Sequence, residues 1–278
     1  MKTYLKTKDF SVSNEDFDLL YDEDFEMLIT NPVPQNLSSY YESENYISHT
    51  DASKNFTDRI YQKVKKINLK NKITLVQKFT DAKNILDVGA GTGDFLVVAK
   101  NFGFQVSGVE PNFKAKEKAI EKGIDLKSSL DDFENSTFDV ITLWHVLEHL
   151  PNLEEQVSKL SNLLSENGVL IIAVPNFKSY DAKFYKIHWA AFDVPRHLWH
   201  FSKSSIQKLF SKTGFELVKT FPMIFDSFYV SLLSEKYKKG KKNFVLAFFV
   251  GLISNLKAMR SKEYSSLIYV LKRSEKLF

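Results

Sequence analysis

The sequence predicts an α/β fold: a mostly parallel sheet with helices on both faces. Three observations carry that expectation. From residue 84 onward short apolar segments alternate with amphipathic ones, the pattern of strands joined by covering helices. The apolar pair Ile85-Leu86 runs into Asp87-Val88-Gly89-Ala90-Gly91-Thr92-Gly93-Asp94-Phe95, a glycine-rich turn between a strand and a helix. Glu110 ends a second apolar run, Val106 to Val109, about 20 residues downstream, where α/β nucleotide sites place an acid.

Taken in order, residues 1–50 read as an irregular N-terminal extension, with 51–278 as the main domain. Between Glu15 and Glu26 seven acids interleave with Phe17, Leu19, Leu20 and Phe25, which suits a solvated face on a small strand or hairpin unit. Asn31-Pro32-Val33-Pro34 breaks any element that reaches it. Phe56, Ile60, Val64 and Ile67 recur at helical spacing, so 53–79 reads as one or two helices leading into the core. Strands are expected at 84–88, 105–109, 125–128, 138–143, 168–174 and 215–221, with helices between them. The helix at 151–165 sets Leu153, Val157, Leu160 and Leu164 on one face and stops at Asn167-Gly168. Residues 176–203 form a connection as long as a lid or substrate loop. A final strand is expected at Leu267 to Leu271.

The chain has 278 residues, 44% apolar and 26% charged, enough for one large α/β domain with appendages. A net charge of +4 does not by itself imply nucleic acid. The absence of cysteine excludes disulfides, thiolate catalysis and Cys-ligated zinc. The N-terminus lacks the apolar core of a secretory signal. The longest apolar run, Phe244 to Ile253, falls short of the ~20 residues a spanning helix needs. A cytoplasmic enzyme is the expectation.

Glycines in such a turn remove Cβ atoms, so a ligand can lie against bare backbone N–H groups. The dinucleotide fingerprint is G-x-G-x-x-G. Here Gly89, Gly91 and Gly93 are evenly spaced and position 94 is Asp94, which misplaces the third glycine for a pyrophosphate. Asp87, just before the turn, suits a cationic ligand better than a phosphate.

The motif Asp87–Phe95 resembles motif I of the class I S-adenosylmethionine (SAM) methyltransferases. Further segments resemble one branch of them, the group containing the ubiquinone-biosynthesis O-methyltransferases: FDVITLWHVLEHLP at 138–151, GVLIIAVPN at 168–176, and PRHLWHF at 195–201 followed by Thr213-Gly214-Phe215. The resemblance spans roughly residues 38–221. It implies a Rossmann-like class I methyltransferase fold with a seven-stranded sheet, its last two strands an antiparallel hairpin. Residues 222–263 would then be a helical insertion before the last strand. It also implies SAM as cofactor, with S-adenosylhomocysteine as product. Gly89, Ala90, Gly91, Thr92 and Gly93 would approach the methionine part. Asp87 would hold the amino end, Glu110 with Pro111 the ribose, and Ser129 and Leu130 the adenine. Trp144 and His145 would lie beside the methyl group, with Tyr46 folding over the cofactor.

His145, Glu148 and His149 stand at i, i+3, i+4, which on a helix is one face and a possible metal set. Some quinone O-methyltransferases carry Glu-x-x-Glu-His there with a metal, but His145 replaces the first Glu, so no metal is expected. A general base is sought among the histidines: His197 beside Arg196 first, His145 second. The acceptor implied is a small or lipid-linked molecule, methylated at oxygen. A non-catalytic SAM-binding scaffold and an NAD-dependent oxidoreductase remain as alternatives. Nucleic acid is not expected, since no Asn/Asp-Pro-Pro-Tyr motif follows the fourth strand. Five lysines in 236–242, ahead of the Phe-rich run at 244–253, suggest peripheral membrane contact through 236–262.

Overall fold

In a computed structural model, residues 1–41 and 56–274 are described. The N-terminal segment is not irregular. Strands β1 (Lys2–Lys8), β2 (Asp16–Asp22) and β3 (Met27–Asn31) form an antiparallel meander. The interleaved acids of β2 follow from strand alternation: Phe17 and Leu19 turn inward, while Asp16 and Asp18 meet Lys8 and Lys6 across the pairing at 3.3 and 3.7 Å.

Helix α1 (Phe56–Gln77) leads to β4 (Asn84–Val88), α2 (Asp94–Asn101), β5 (Gln105–Val109) and α3 (Phe113–Ile120). Then come β6 (Phe138–Trp144), α4 (Leu153–Leu163), β7 (Leu164–Pro175), the short α5 (Tyr180–Tyr185) and β8 (Trp199–His200). Helix α6 (Lys203–Ser211) and β9 (Phe215–Pro222) follow, then the inserted helices α7 (Asp226–Lys239) and α8 (Phe244–Ser261), then β10 (Ser266–Arg273). The central sheet has the order β5-β4-β6-β7-β10-β9. The first four strands run parallel, and β10 lies antiparallel between β7 and β9.

The described residues form six strands in this sheet, where seven were expected. Residues 125–128 contribute a single bridge, Lys127 to Val109. Lys127 N–H donates to Gly108 O of β5, but around it the donors are committed elsewhere: the preceding Ile124 N–H to Ala119 O at the end of α3, and Ser128 and the following Ser129 N–H to the Asp132 carboxylate. Helix α4 also ends earlier than its periodicity implies. Leu164 has extended backbone and opens β7 opposite Phe138, and a Cβ on Gly168 would fall 2.6 Å from its Cγ, so this fold-back requires glycine.

Alternate residues of each strand feed different cores. Ile85, Val140, Val169 and Ile171 pack on one face with α1 and α2; Leu86, Ile141, Leu170 and Ile172 pack on the other with α4 and α6. The 176–203 connection is not an exposed lid. Strand β8 pairs with β3, closing a second, four-stranded sheet, and Trp189, Phe192, Val194 and Leu198 are buried. Arg196 ties the two segments together, bonding Asp9 at 2.9 Å and Asp193 at 2.7 Å, with itself and Asp9 almost fully buried. The Arg196 guanidinium holds the Asp9 carboxyl down at about 2, against the effect of burial.

Removing one member of a buried ion cluster strands the others. Arg196→Met is therefore expected to destabilise the fold by about 3–5 kcal/mol in urea unfolding, whereas Lys8→Ala, which breaks an exposed pair, leaves the midpoint nearly unchanged.

Candidate active site

The carboxyl ends of β4, β5 and β6 converge on the glycine turn. Gly89 and Ala90 N–H both donate to Val109 O, at 2.8 and 2.9 Å, which ties the turn to β5. Glu110 continues from β5 and closes over it: Oε2 accepts Gly91 N–H and Oε1 accepts Asn112 N–H, each at 2.9 Å. Pro111 is exposed between Glu110 and the Asn112 cap of α3. Gly89, Gly91 and Gly93 all have positive φ, at 71, 54 and 74°. A Cβ on Gly89 would lie 2.3 Å from Val146 Cγ2, so that glycine lets the 145–149 turn close in. A Cβ on Gly91 would meet nothing within 4 Å: its bare face opens on space where a ligand can lie. Thr92 bonds Asp94, and Lys122 pairs with Asp94 at 2.7 Å.

Beneath the turn, buried Asp87 accepts the Thr142 hydroxyl at 2.6 Å. Burial raises its carboxyl to about 7, opposed by that hydrogen bond and by Lys72. A cationic ligand would favour its charged form, which fits the amino end of SAM. Burial lowers the Lys72 ammonium to about 8; it sits 4.4 Å from the centre of the Trp144 ring. Trp144 Nε1 is buried with no hydrogen-bond partner among the described residues. Ser129 caps the short turn at 130–133, and Leu130 is buried. Tyr46 lies outside the described residues.

His145, Glu148 and His149 do not share a helical face. His145 has left-handed backbone, and 147–149 make a single 3₁₀ turn. The side chains meet nonetheless. His145 Nδ1 lies 3.5 Å from Glu148 Oε1 and Nε2 lies 3.2 Å from Asp226 Oδ2 of α7. Burial disfavours its charge, but these two carboxylates outweigh that and push the imidazole up to about 10. His145 is therefore a cation at neutral pH and holds no lone pair for a proton.

His197 is the opposite case. Its Nδ1 lies 2.9 Å from Ala191 O; a carbonyl only accepts, so Nδ1 carries the hydrogen and Nε2 the lone pair. Burial pushes its pKa well below the usual histidine value. His149 Nδ1 is likewise bound to Arg196 O at 3.0 Å, and the two rings stand edge to face at 4.6 Å. Glu148, His149 and His197 bring one donor atom each within 4.8 Å of one another, a set able to hold a divalent ion. The Glu148 carboxylate, nearly fully buried, makes no hydrogen bond among the described residues. Arg196 is not presented for chemistry; its bonds to Asp9, Ser11 and Asp193 make it a staple. Sequence reasoning missed Lys72, Thr142 and Asp226. Their residue types carry no motif, and only the fold brings them to the β4–β6 ends.

Residues 60–220 match a family described as a methyltransferase domain, more than half of the chain, and the chain belongs to that family. It is a class I SAM-dependent methyltransferase. It is 27% identical to a ubiquinone biosynthesis O-methyltransferase of Rickettsia canadensis over 172 residues, covering 55% of this chain and 73% of that one. It is 32% identical to one from Actinobacillus pleuropneumoniae over 108 residues, 34% of this chain and 46% of that one. The fold is similar to that of magnesium protoporphyrin IX methyltransferase from Synechocystis with bound S-adenosylhomocysteine: TM-score 0.57, 16% identity, 85% of this chain and 97% of that one.

Two outcomes follow from the geometry. Gly91→Ala is expected to cost about 1 kcal/mol of stability from backbone strain but to weaken S-adenosylhomocysteine more than tenfold in calorimetric titration, whereas Gly89→Ala, clashing with Val146, lowers the melting temperature strongly. The His145 pKa is raised from 6.5 to about 10 on folding, so its stabilisation is full below the lower value and lost as pH rises towards the upper one. Urea midpoints at pH 6 and pH 9 should show that loss in the wild type, and a smaller one in His145→Gln.

Proposed function

We propose that this methyltransferase transfers the SAM methyl group to a hydroxyl oxygen of a small or lipid-linked acceptor, with His197 as general base. The observation that carries the reading is the neutral His197 ring, its Nδ1–H bound to Ala191 O and its Nε2 left as an acceptor. The O-methyltransferase relatives support the choice of oxygen. The sulfonium already activates the methyl group, so transfer is a displacement along the line from oxygen to carbon to sulfur. The protein's part is to hold the hydroxyl in that line and take its proton.

In this reading the glycine turn and Asp87 hold the methionine end and Glu110 the ribose, with Ser129 and Leu130 at the adenine and Trp144 beside the methyl. His145, held as a cation by Asp226, keeps Glu148 ionised, and the Glu148 carboxylate stabilises the His197 imidazolium as it forms. A divalent ion at Glu148, His149 and His197 is a second reading, favoured by the unbonded Glu148 oxygens; it would acidify a bound hydroxyl.

The test is transfer of labelled methyl from SAM to matched panels of phenols, catechols, quinols and amines. Ether products are expected, with kcat of His197→Asn lower by about 10²–10⁴ while its S-adenosylhomocysteine affinity holds. Glu110→Ala should instead lose S-adenosylhomocysteine affinity, and NAD should not bind. Label appearing only on amines, or S-adenosylhomocysteine binding with no turnover on any acceptor, would overturn the proposal.

A further inference from the structure

The insertion places an unusual surface beside the site. One face of α8 is packed: Ala247, Val250, Gly251, Ser254 and Ala258 are buried. A Cβ on Gly251 would come within 2.8 Å of the Phe228 ring of α7. Ser254 Oγ donates to Asp181 at 2.7 Å, and Ser227 Oγ to Gly251 O at 3.1 Å. The other face is bare. Val245, Phe248, Phe249, Leu256 and Met259 are each at least 52% exposed, and Ile224 and Phe225 add to the apolar surface where α7 begins. Helix α8 is long and apolar enough to cross a membrane, but the buried hydroxyls and small residues fix it along the surface of the fold.

Charge selects the occupant. Residues 236–262 carry eight Lys and Arg and no Asp or Glu. A second copy of this chain would set that segment against its own like charge if the faces paired around a twofold axis. An anionic lipid surface meets both features, with apolar side chains at the acyl boundary and lysines among the headgroups.

We propose that α8 and the start of α7 form a docking surface for an anionic membrane. Asp226, next to Phe225, is the residue that reaches His145, so the docked face adjoins the acceptor side of the site. That last consequence rests on the functional reading above; docking itself does not.

The test is co-sedimentation of the full chain with phosphatidylcholine vesicles, with and without phosphatidylglycerol. Binding is expected only to the anionic vesicles. The double variant F248E/F249E should abolish it, and K241Q/K242Q should weaken it roughly 25-fold, at about fivefold per lysine. Circular dichroism melts verify that both variants fold. Absence of binding by the wild type overturns the proposal. So does equal binding to neutral vesicles that the lysine changes leave intact. A dimer in sedimentation velocity that F248E/F249E dissociates, with no vesicle binding, assigns the face to self-association instead.

Discussion

The left-handed backbone of the turn after β4 is the constraint on which the site depends. Gly89 and Ala90 give their N–H groups to one carbonyl of β5, an arrangement that sets Gly89 at φ +71°, where an L side chain would be strained. The missing Cβ of Gly89 lets Val146 press against the turn, and Val146 sits between His145 and Glu148. The same glycine therefore sets the cofactor cradle and the depth of the neighbouring histidine-rich turn. The glycine turn and the 145–149 turn are mechanically one unit, not two loops that happen to meet.

Charge in that unit is managed by burial against pairing. Asp87 is desolvated, and burial raises its carboxyl to about 7. His145 is desolvated too, yet two carboxylates keep it charged. His197, without a partner close enough to outweigh burial, stays neutral. The three groups thus take different states because their partners differ.

The N-terminal sheet and the 176–203 connection form the support for this arrangement. Strand β3 pairs with β8, Thr30 Oγ1 donates to His197 O at 2.6 Å, and Leu198 N–H donates to Glu148 O at 2.8 Å. His197 is therefore held on both sides of its own peptide by segments distant in sequence. Arg196, its neighbour, uses its charge to lock the loop after β1. A segment long enough to be a lid is instead a strap, packed between the N-terminal sheet and the 145–149 turn.

The sequence by itself determined the α/β class, the glycine turn after β4 and most strands, because these rest on local rules: alternation of apolar segments, glycine spacing, and an acid at the end of β5. It also marked the insertion, whose helices lie between β9 and β10. It misjudged 125–128, which makes a single bridge, because the donors on either side of Lys127 are taken: Ile124 N–H by the end of α3, and Ser128 and Ser129 N–H by Asp132. It assigned the N-terminal residues a strand or hairpin unit only within 15–26, where the structure has three strands closed by a partner 172 positions away, Leu28 with His200. The pairing of His145 with Asp226, the seating of Lys72 over Trp144, and the meeting of Glu148 with His197 were decided only by tertiary structure. Each joins residues on separate elements or in a turn without helical period, and no spacing rule reaches between such positions.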